Sequence, residues 1–292
     1  MGSEAAAEIR RIYDSGSART YIKSDDSPVT DADLASDRII RARLRERFPG
    51  DAVLTEEGAD DTGRLTAERC WIVDPIDGTQ QFVDRTGQFD VLIALVVGGR
   101  PVVGVMIQPA TGLILAAAAG DGAELGLIDS PDRRPMLLAQ PNPETRVVTT
   151  IWFGAPESDP FLARFARAMA IAQPEILRTG VIVRGHLDRE ANGISGQTAP
   201  LAVPLARPAH GMIGVPMRGD GTMAWEWDYA AADIVAHEAG GRFTDWHGNE
   251  FRYNKPVPRN IGGLVFGNTT AVHARMIDAI GPLIPEIEAS RA

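Results

Sequence analysis

The chain has 292 residues, 44% of them apolar and 23% charged, which suffices for one large domain or two packed lobes with separate cores. A formal net charge of −10 argues against nucleic acid or anionic membrane as a general partner, since both would repel it. Cys70 is the single cysteine, so an internal disulfide is excluded; the opening MGSEAAAEIRRIYD has no apolar leader core, and no uncharged apolar run nears the roughly 20 residues of a membrane span, so a cytoplasmic protein is expected.

Residues 4–14 and 31–47 read as amphipathic helices, the second with Leu34, Ile39, Ile40, Leu44 and Phe48 near helical spacing and a stop at Phe48-Pro49-Gly50. Short strands are expected at 52–55 and 70–74. The runs VLIALVV (91–97), VVGVMIQ (102–108) and LILAAAA (113–119), joined by GGRP and PATG, read as a meander. The proline- and charge-rich stretch 129–146 marks the expected boundary between two lobes, residues 1–140 and 141–292. Beyond it, RVVTTIWF (146–153) reads as a strand and 158–172 as a helix, whereas 184–210 is broken by proline and glycine and carries no assignment. A helix from about 226 to 239 closes at Gly240-Gly241, and strands at 242–244 and 263–267 and a helix from about 269 complete the chain. Strict strand–helix alternation is absent, so layered α and β with mixed sheets is the expected class.

WIVDPIDGTQQF (71–82) sets an apolar run against two carboxylates, Asp74 and Asp77. The residue before proline is held extended, so Asp74 is expected to close its strand, and Asp77-Gly78-Thr79 to turn into a helix at 79–84 capped by Asp77 or Thr79. Two acids beside the amides of a helix start repel each other, and a phosphate, unless a hard cation lies between. Glu56-Glu57 at the end of the 52–55 strand and Asp228 in the first turn of the 226–239 helix are further acidic candidates, although a carboxylate in a first turn is also a plain dipole partner.

These residues resemble the inositol monophosphatase superfamily of lithium-sensitive, Mg²⁺-dependent phosphatases. WIVDPIDGTQQF matches its first signature, W-x-x-D-P-[ILM]-D-G-T-x-x-F. WDYAAADIVAHEAGG (227–241) matches its second, and SPVTDAD (27–33) with Glu56-Glu57 matches upstream elements. The resemblance implies an α/β fold, a layered αβαβα sandwich of two lobes with mixed sheets. The first lobe would carry most metal ligands, the second Asp228 and the leaving-group pocket. It implies two or three Mg²⁺ per site. Glu56, Asp74 and the carbonyl of Ile76 would hold one ion, and Asp74, Asp77 and Asp228 another. Asp33, Thr79 and Glu56 form the implied catalytic group, with Thr79 bonded to Asp33 to position and deprotonate the attacking water, and the amides of Gly78 and Thr79 take the phosphate. The implied reaction is hydrolysis of a phosphomonoester by metal-activated water, without a covalent intermediate; the physics agrees, since four acids and a phosphate gather like charge that divalent ions reverse.

Within the superfamily, YIKSDDSPVTDAD and FVDRTGQFDVLIALVVGGRPVVGVMIQP look most like 3′(2′),5′-bisphosphate nucleotidases, which act on 3′-phosphoadenosine 5′-phosphate; that branch reads F-x-x-R-x-G-E-F where this chain has Gln88. A glycine–serine element of the second lobe has no match in RTGVIVRGHLDREANG, so the leaving-group pocket is expected to differ. Asp220 is either an acidic substrate contact or a turn residue of RGDG. Alternatives are an inositol-, histidinol-, sugar- or specialised nucleoside-phosphate phosphatase, or a non-catalytic phosphometabolite binder. A homodimer is a further expectation of the resemblance. The five histidines share no ligand spacing and read as surface or capping residues, Cys70 as core, and Lys23 as either a neighbour of the metal site or a surface lysine.

Overall fold

The computed structural model describes residues 1–138, 146–150, 160–169, 175–177, 185–187, 196–198, 210–214 and 222–289. Helix α1 (Gly2–Ser15) is followed by strands β1 (Thr20–Ile22) and β2 (Pro28–Thr30), helix α2 (Asp31–Arg47), β3 (Ala52–Thr55), β4 (Arg69–Asp77) and the short helix α3 (Thr79–Val83). Then come β5 (Asp90–Val97), β6 (Arg100–Gln108), β7 (Leu113–Ala118), β8 (Gly122–Leu127) and β9 (Arg133–Met136). The second half holds β10 (Arg146–Thr150), α4 (Pro160–Ala168), β11 (Glu175–Leu177), β12 (Gly185–Leu187), β13 (Gly196–Thr198), β14 (His210–Gly214) and β15 (Thr222–Trp225). It ends with α5 (Glu226–Glu238), β16 (Arg242–Thr244), β17 (Arg259–Ile261), β18 (Leu264–Gly267), α6 (Thr270–Ile280) and α7 (Ile284–Ala289).

Strand alternation explains the layers. In a strand, successive side chains face opposite sides. Cys70 and Ile72 of β4, with Leu92, Ala94 and Val96 of β5, enter one core. Their neighbours Trp71, Val73, Val91, Ile93 and Leu95 enter another. A strand buried on both faces reads as a continuous apolar run, which is why VLIALVV shows no polar alternation. The resulting seven-stranded sheet runs β3-β4-β5-β6-β7-β8-β9, antiparallel except for the parallel β3–β4 pair. Helices α1 and α2 cover one face through Ala5, Ile9, Ile40 and Leu44.

Helix α5 covers the other face. Every residue from Glu226 to Ala236 is buried, because behind α5 lies a second, mixed sheet, β11-β10-β14-β18-β16. Phe243, Leu264 and Phe266 of that sheet share a core with α5, while Val265 turns to a third core formed with Phe165 of α4 and Val272, Met276 and Ile284 of the final helices. The order is α–β–α–β–α, as expected. Gly104 sets how closely α5 lies on β6: a Cβ there would strike Ile234 and come 2.7 Å from the carbonyl of Ala231.

Several local expectations are corrected. Leu34 lies on the exposed side of α2, which buries Ala32, Ile40 and Leu44 instead. Strand β4 does not close at Asp74 but continues through Pro75 to Asp77. The 129–146 stretch contains the edge strand β9, where Arg133, Arg134 and Pro135 are compatible with strand structure because one side needs no partner. The β1–β2 hairpin, β8, β15 and β17 carry too little apolar patterning to stand out. Most of 184–210 lies outside the described residues, which include β12 and β13 there, paired antiparallel.

Candidate active site

The site begins with a ladder defect. Asp74 of β4 pairs with Leu92 of β5 and Asp77 pairs with Asp90, so three steps along β4 match two along β5. One extra residue is bulged out where Pro75 has no N–H to donate. In a regular strand, residues three apart face opposite sides; the bulge brings Asp74 and Asp77 to the same side, the one covered by α5. Ser36 of α2 donates to the Pro75 carbonyl at 2.9 Å and pins the bulge.

Helix α5 brings Asp228 to this side in its first turn, where its Oδ2 accepts from the Trp225 N–H at 2.7 Å. Carboxylate oxygens of Asp74, Asp77 and Asp228 lie within 4.8 Å of one another, all three residues buried. Glu56 follows β3, its N–H held by the Val73 carbonyl at 3.2 Å, next to Asp74 in the parallel neighbour. Lys23, just after β1, reaches Glu56 at 2.7 Å and Glu57 at 2.6 Å, so of its two readings the structure supports a neighbour of the acids.

A second group flanks the acids. Thr79 Oγ1 donates to Asp33 Oδ1 at 2.8 Å and lies 3.3 Å from the Ile76 carbonyl. Asp33 is buried in the first turn of α2, where its Oδ2 accepts from the Thr30 N–H at 2.8 Å and from the Thr30 hydroxyl. Gly78 begins α3 with φ +92°, a left-handed geometry, and a Cβ there would lie 2.9 Å from the Gln88 carbonyl; both facts select glycine. Gly78 is thus the residue at the cap position of α3, and neither Asp77 nor Thr79 caps it by side chain.

Electrostatics follow from burying acids together. Burial pushes the Asp74 carboxyl well above its ordinary range, with Glu56, Asp77 and Asp228 adding to the rise. Burial does the same to Asp77, reinforced by Asp228, Asp90 and Glu56. Asp228 is pushed up to about 7 by burial and by Glu56, against the Trp225 N–H. Burial raises Asp33 as well, partly offset by its Thr30 and Thr79 bonds. Glu57 rises to about 7, mainly by burial, with Lys23 pulling it down. Burial opposes the Lys23 charge, but Glu56 and Glu57 outweigh it and hold that ammonium protonated.

Such a cluster fits a hard divalent cation. All donors are oxygens, and Asp74 Oδ1 is buried without a hydrogen-bond partner. Glu56, Asp74, Asp77, Asp228 and the Ile76 carbonyl could hold Mg²⁺. Asp220 lies outside the described residues. The histidines are more varied than expected: His273 is buried against Thr244 at 2.7 Å, and burial lowers it to about 4, while His237 is half-buried between Asp233, Glu250 and Arg242. Cys70 is in the core as expected, and burial raises its thiol to about 12. Asp90, facing Asp77, was not among the residues anticipated; the signal that finds it is the register set by the Pro75 bulge, invisible until β4 and β5 are aligned.

Comparison with known proteins agrees with this geometry. The model of the "Inositol monophosphatase family" matches residues 2–281. The chain is 31% identical over 257 residues to the 3′(2′),5′-bisphosphate nucleotidase CysQ of Aggregatibacter actinomycetemcomitans, covering 87% of this chain and 85% of that protein. Its fold is similar to the crystal structure of CysQ from Bacteroides thetaiotaomicron, described as a bacterial member of the inositol monophosphatase family, with a TM-score of 0.68, 25% identity and coverage of 91% and 94%. An IMPase of Thermotoga maritima also has a TM-score of 0.68, at 23% identity with coverage of 98% and 95%, and so speaks to the fold alone.

Proposed function

The chain belongs to the inositol monophosphatase family and is a phosphatase, and from that premise we propose that it removes the 3′-phosphate of 3′-phosphoadenosine 5′-phosphate in a Mg²⁺-dependent reaction. The observation that carries the substrate assignment is the likeness to bisphosphate nucleotidases over 87% of the chain. In this reading Glu56, Asp74, the Ile76 carbonyl, Asp77 and Asp228 hold two or three ions. Bound Mg²⁺ offsets the acids, attracts the phosphate and acidifies water.

The chain's own residues do the rest. Thr79 Oγ1, committed as a donor to Asp33, keeps its lone pairs free to accept a proton from the attacking water. Asp33, raised by burial, is a better resting place for that proton than an exposed carboxylate. The amides of Gly78 and Thr79 orient the phosphate at the start of α3. Lys23 holds Glu56 and Glu57 in place beside the other acids. The Thr79–Asp33 bond argues against a non-catalytic binder, which would need the acids but not a proton acceptor.

A second reading keeps the chemistry and changes the ester to an inositol, histidinol or sugar phosphate; Gln88, where nucleotidases of this type carry glutamate, favours considering it. The deciding assay is phosphate release from 3′-phosphoadenosine 5′-phosphate, inositol 1-phosphate and histidinol phosphate, each with and without Mg²⁺. A kcat/KM highest for the nucleotide, with inhibition by Li⁺, supports the proposal. A higher value for inositol 1-phosphate rejects the nucleotidase assignment, and release undiminished in excess chelator rejects the metal. A cytoplasmic location belongs to the same proposal, supported by the single, buried cysteine. Among the described residues no helix is long and apolar enough to cross a membrane.

A further inference from the structure

The bulge that aligns Asp74 with Asp77 has a second effect: it sets Asp90 directly opposite Asp77 across β4 and β5. Opposed residues share a face with Cβ atoms about 4.5–5.5 Å apart, and two like charges so placed destabilise a sheet. Asp90 is 1% exposed, and neither carboxylate oxygen has a hydrogen-bond partner. Among the described residues it also has no ion pair. On the next strand, Val91 opposes Ile107, which brings Gln108 alongside Asp90. Gln108 is 2% exposed; its Oε1 accepts from the Thr111 hydroxyl at 2.7 Å, but its Nε2 has no partner.

A row of buried polar groups, Asp77–Asp90–Gln108, therefore crosses the sheet beside the acidic trio, with both oxygens of its central carboxylate unanswered. Buried carboxylates normally have partners, since burying a bare charge is strongly unfavourable. We propose that Asp90 is a further acid of the cation site, acting from behind Asp77 to tighten the hold on a hard divalent ion. Its oxygens are not among those that converge within 4.8 Å, so it works on the ion through Asp77 and is a positioning residue. The charge of Asp90 faces that of Asp77, and a divalent ion at Asp77 is what makes the opposition tolerable.

This inference rests on the metal reading proposed above, and one experiment separates the two. Mn²⁺, as a Mg²⁺ probe, is titrated calorimetrically into the whole protein and into Asp90→Asn and Asp90→Thr, with melting followed in excess chelator; two variants are used so that a folding defect in one leaves the test standing. The expected result is Mn²⁺ affinity about tenfold weaker in the variants, at the lower end of what residues behind metal ligands contribute, with melting in chelator at or above that of the parent. An affinity within twofold of the parent, or melting in chelator well below the parent for both variants, makes Asp90 a structural residue and overturns the inference. If the parent itself takes up no Mn²⁺, the metal reading falls and this inference falls with it.

Discussion

Replacing Asp228 by asparagine should stabilise the metal-free protein. At an effective dielectric constant of about 20, two full charges within 4.8 Å repel by about 3–4 kcal/mol, and Asp228 faces two such partners. The fold limits that cost by protonation: burial and Glu56 lift Asp228 from 3.8 to about 7, which corresponds to about 4 kcal/mol at 1.36 kcal/mol per pKa step. Asparagine keeps an oxygen for the Trp225 N–H but loses the interaction of an anion with the start of α5, about 0.5 kcal/mol. The net gain in excess chelator at pH 8 is about 3 kcal/mol, or roughly 5 °C in melting temperature. The sign follows from the raised carboxyl: stability is fully present below 3.8 and is lost as pH rises through 7. Parent and variant should therefore melt together near pH 4 and separate by pH 8. Saturating Mg²⁺ closes the gap, since an ion at 100 times its Kd adds about 2.7 kcal/mol to a protein that binds it. Scanning calorimetry at both pH values, with and without Mg²⁺, reads all of this. A variant that melts below the parent in chelator at pH 8 refutes the view that the acids strain the metal-free site.

Thr79→Val should lower kcat about 10²–10⁴-fold while calorimetric Mg²⁺ affinity stays within twofold, because in the proposed mechanism the hydroxyl serves proton transfer rather than the ion. Gly104→Ala should destabilise the fold by about 1–3 kcal/mol in chemical denaturation, since the new methyl meets Ile234 and the Ala231 carbonyl. His273, neutral in the fold and lowered to about 4 by burial, should contribute stability that is full above 6.5 and is lost as pH falls towards 4; His273→Gln should flatten that part of the stability–pH curve measured by urea denaturation. Removing divalent ions with chelator should abolish phosphate release, and adding Mg²⁺ should restore it.

Much of this architecture is written in local pattern. The runs at 91–97, 102–108 and 113–119 became β5, β6 and β7 almost residue for residue, because glycine and proline punctuate them and both faces demand apolar side chains. Helix α5 was legible through its stop: Gly240, at φ +89°, follows the last turn. What stayed hidden depends on pairing. That β4 continues past Asp74 cannot be read from Asp-Pro, whose local preference is a turn; the ladder with β5 overrides it. Edge strand β9 was concealed by Arg133, Arg134 and Pro135, residues an edge accepts and a central strand would not. At the site, Asp74, Asp77, Asp228 and Glu56 were all nominated from the chain, and the structure gathers the first three into one cluster beside the fourth. Asp90 was missed because a carboxylate opening an apolar strand looks like ordinary punctuation. Only alignment of the two strands shows it facing Asp77.

The contact at Gly104 reaches beyond stability. Helix α5 rests on β6 there with only the Ile234 side chain and the Ala231 main chain against the glycine, and Asp228 stands one turn from Ala231. The gap between Asp228 and the β4 acids consequently depends on how closely α5 sits on β6, and any side chain at 104 would push the helix away. A seat of fixed width suits Mg²⁺, which demands oxygens at about 2.0–2.1 Å, over Ca²⁺, which accepts about 2.3–2.6 Å. Ionic-radius discrimination in this protein would then be set not only by the groups touching the ion but also by the missing side chain at Gly104, one helical turn from Asp228.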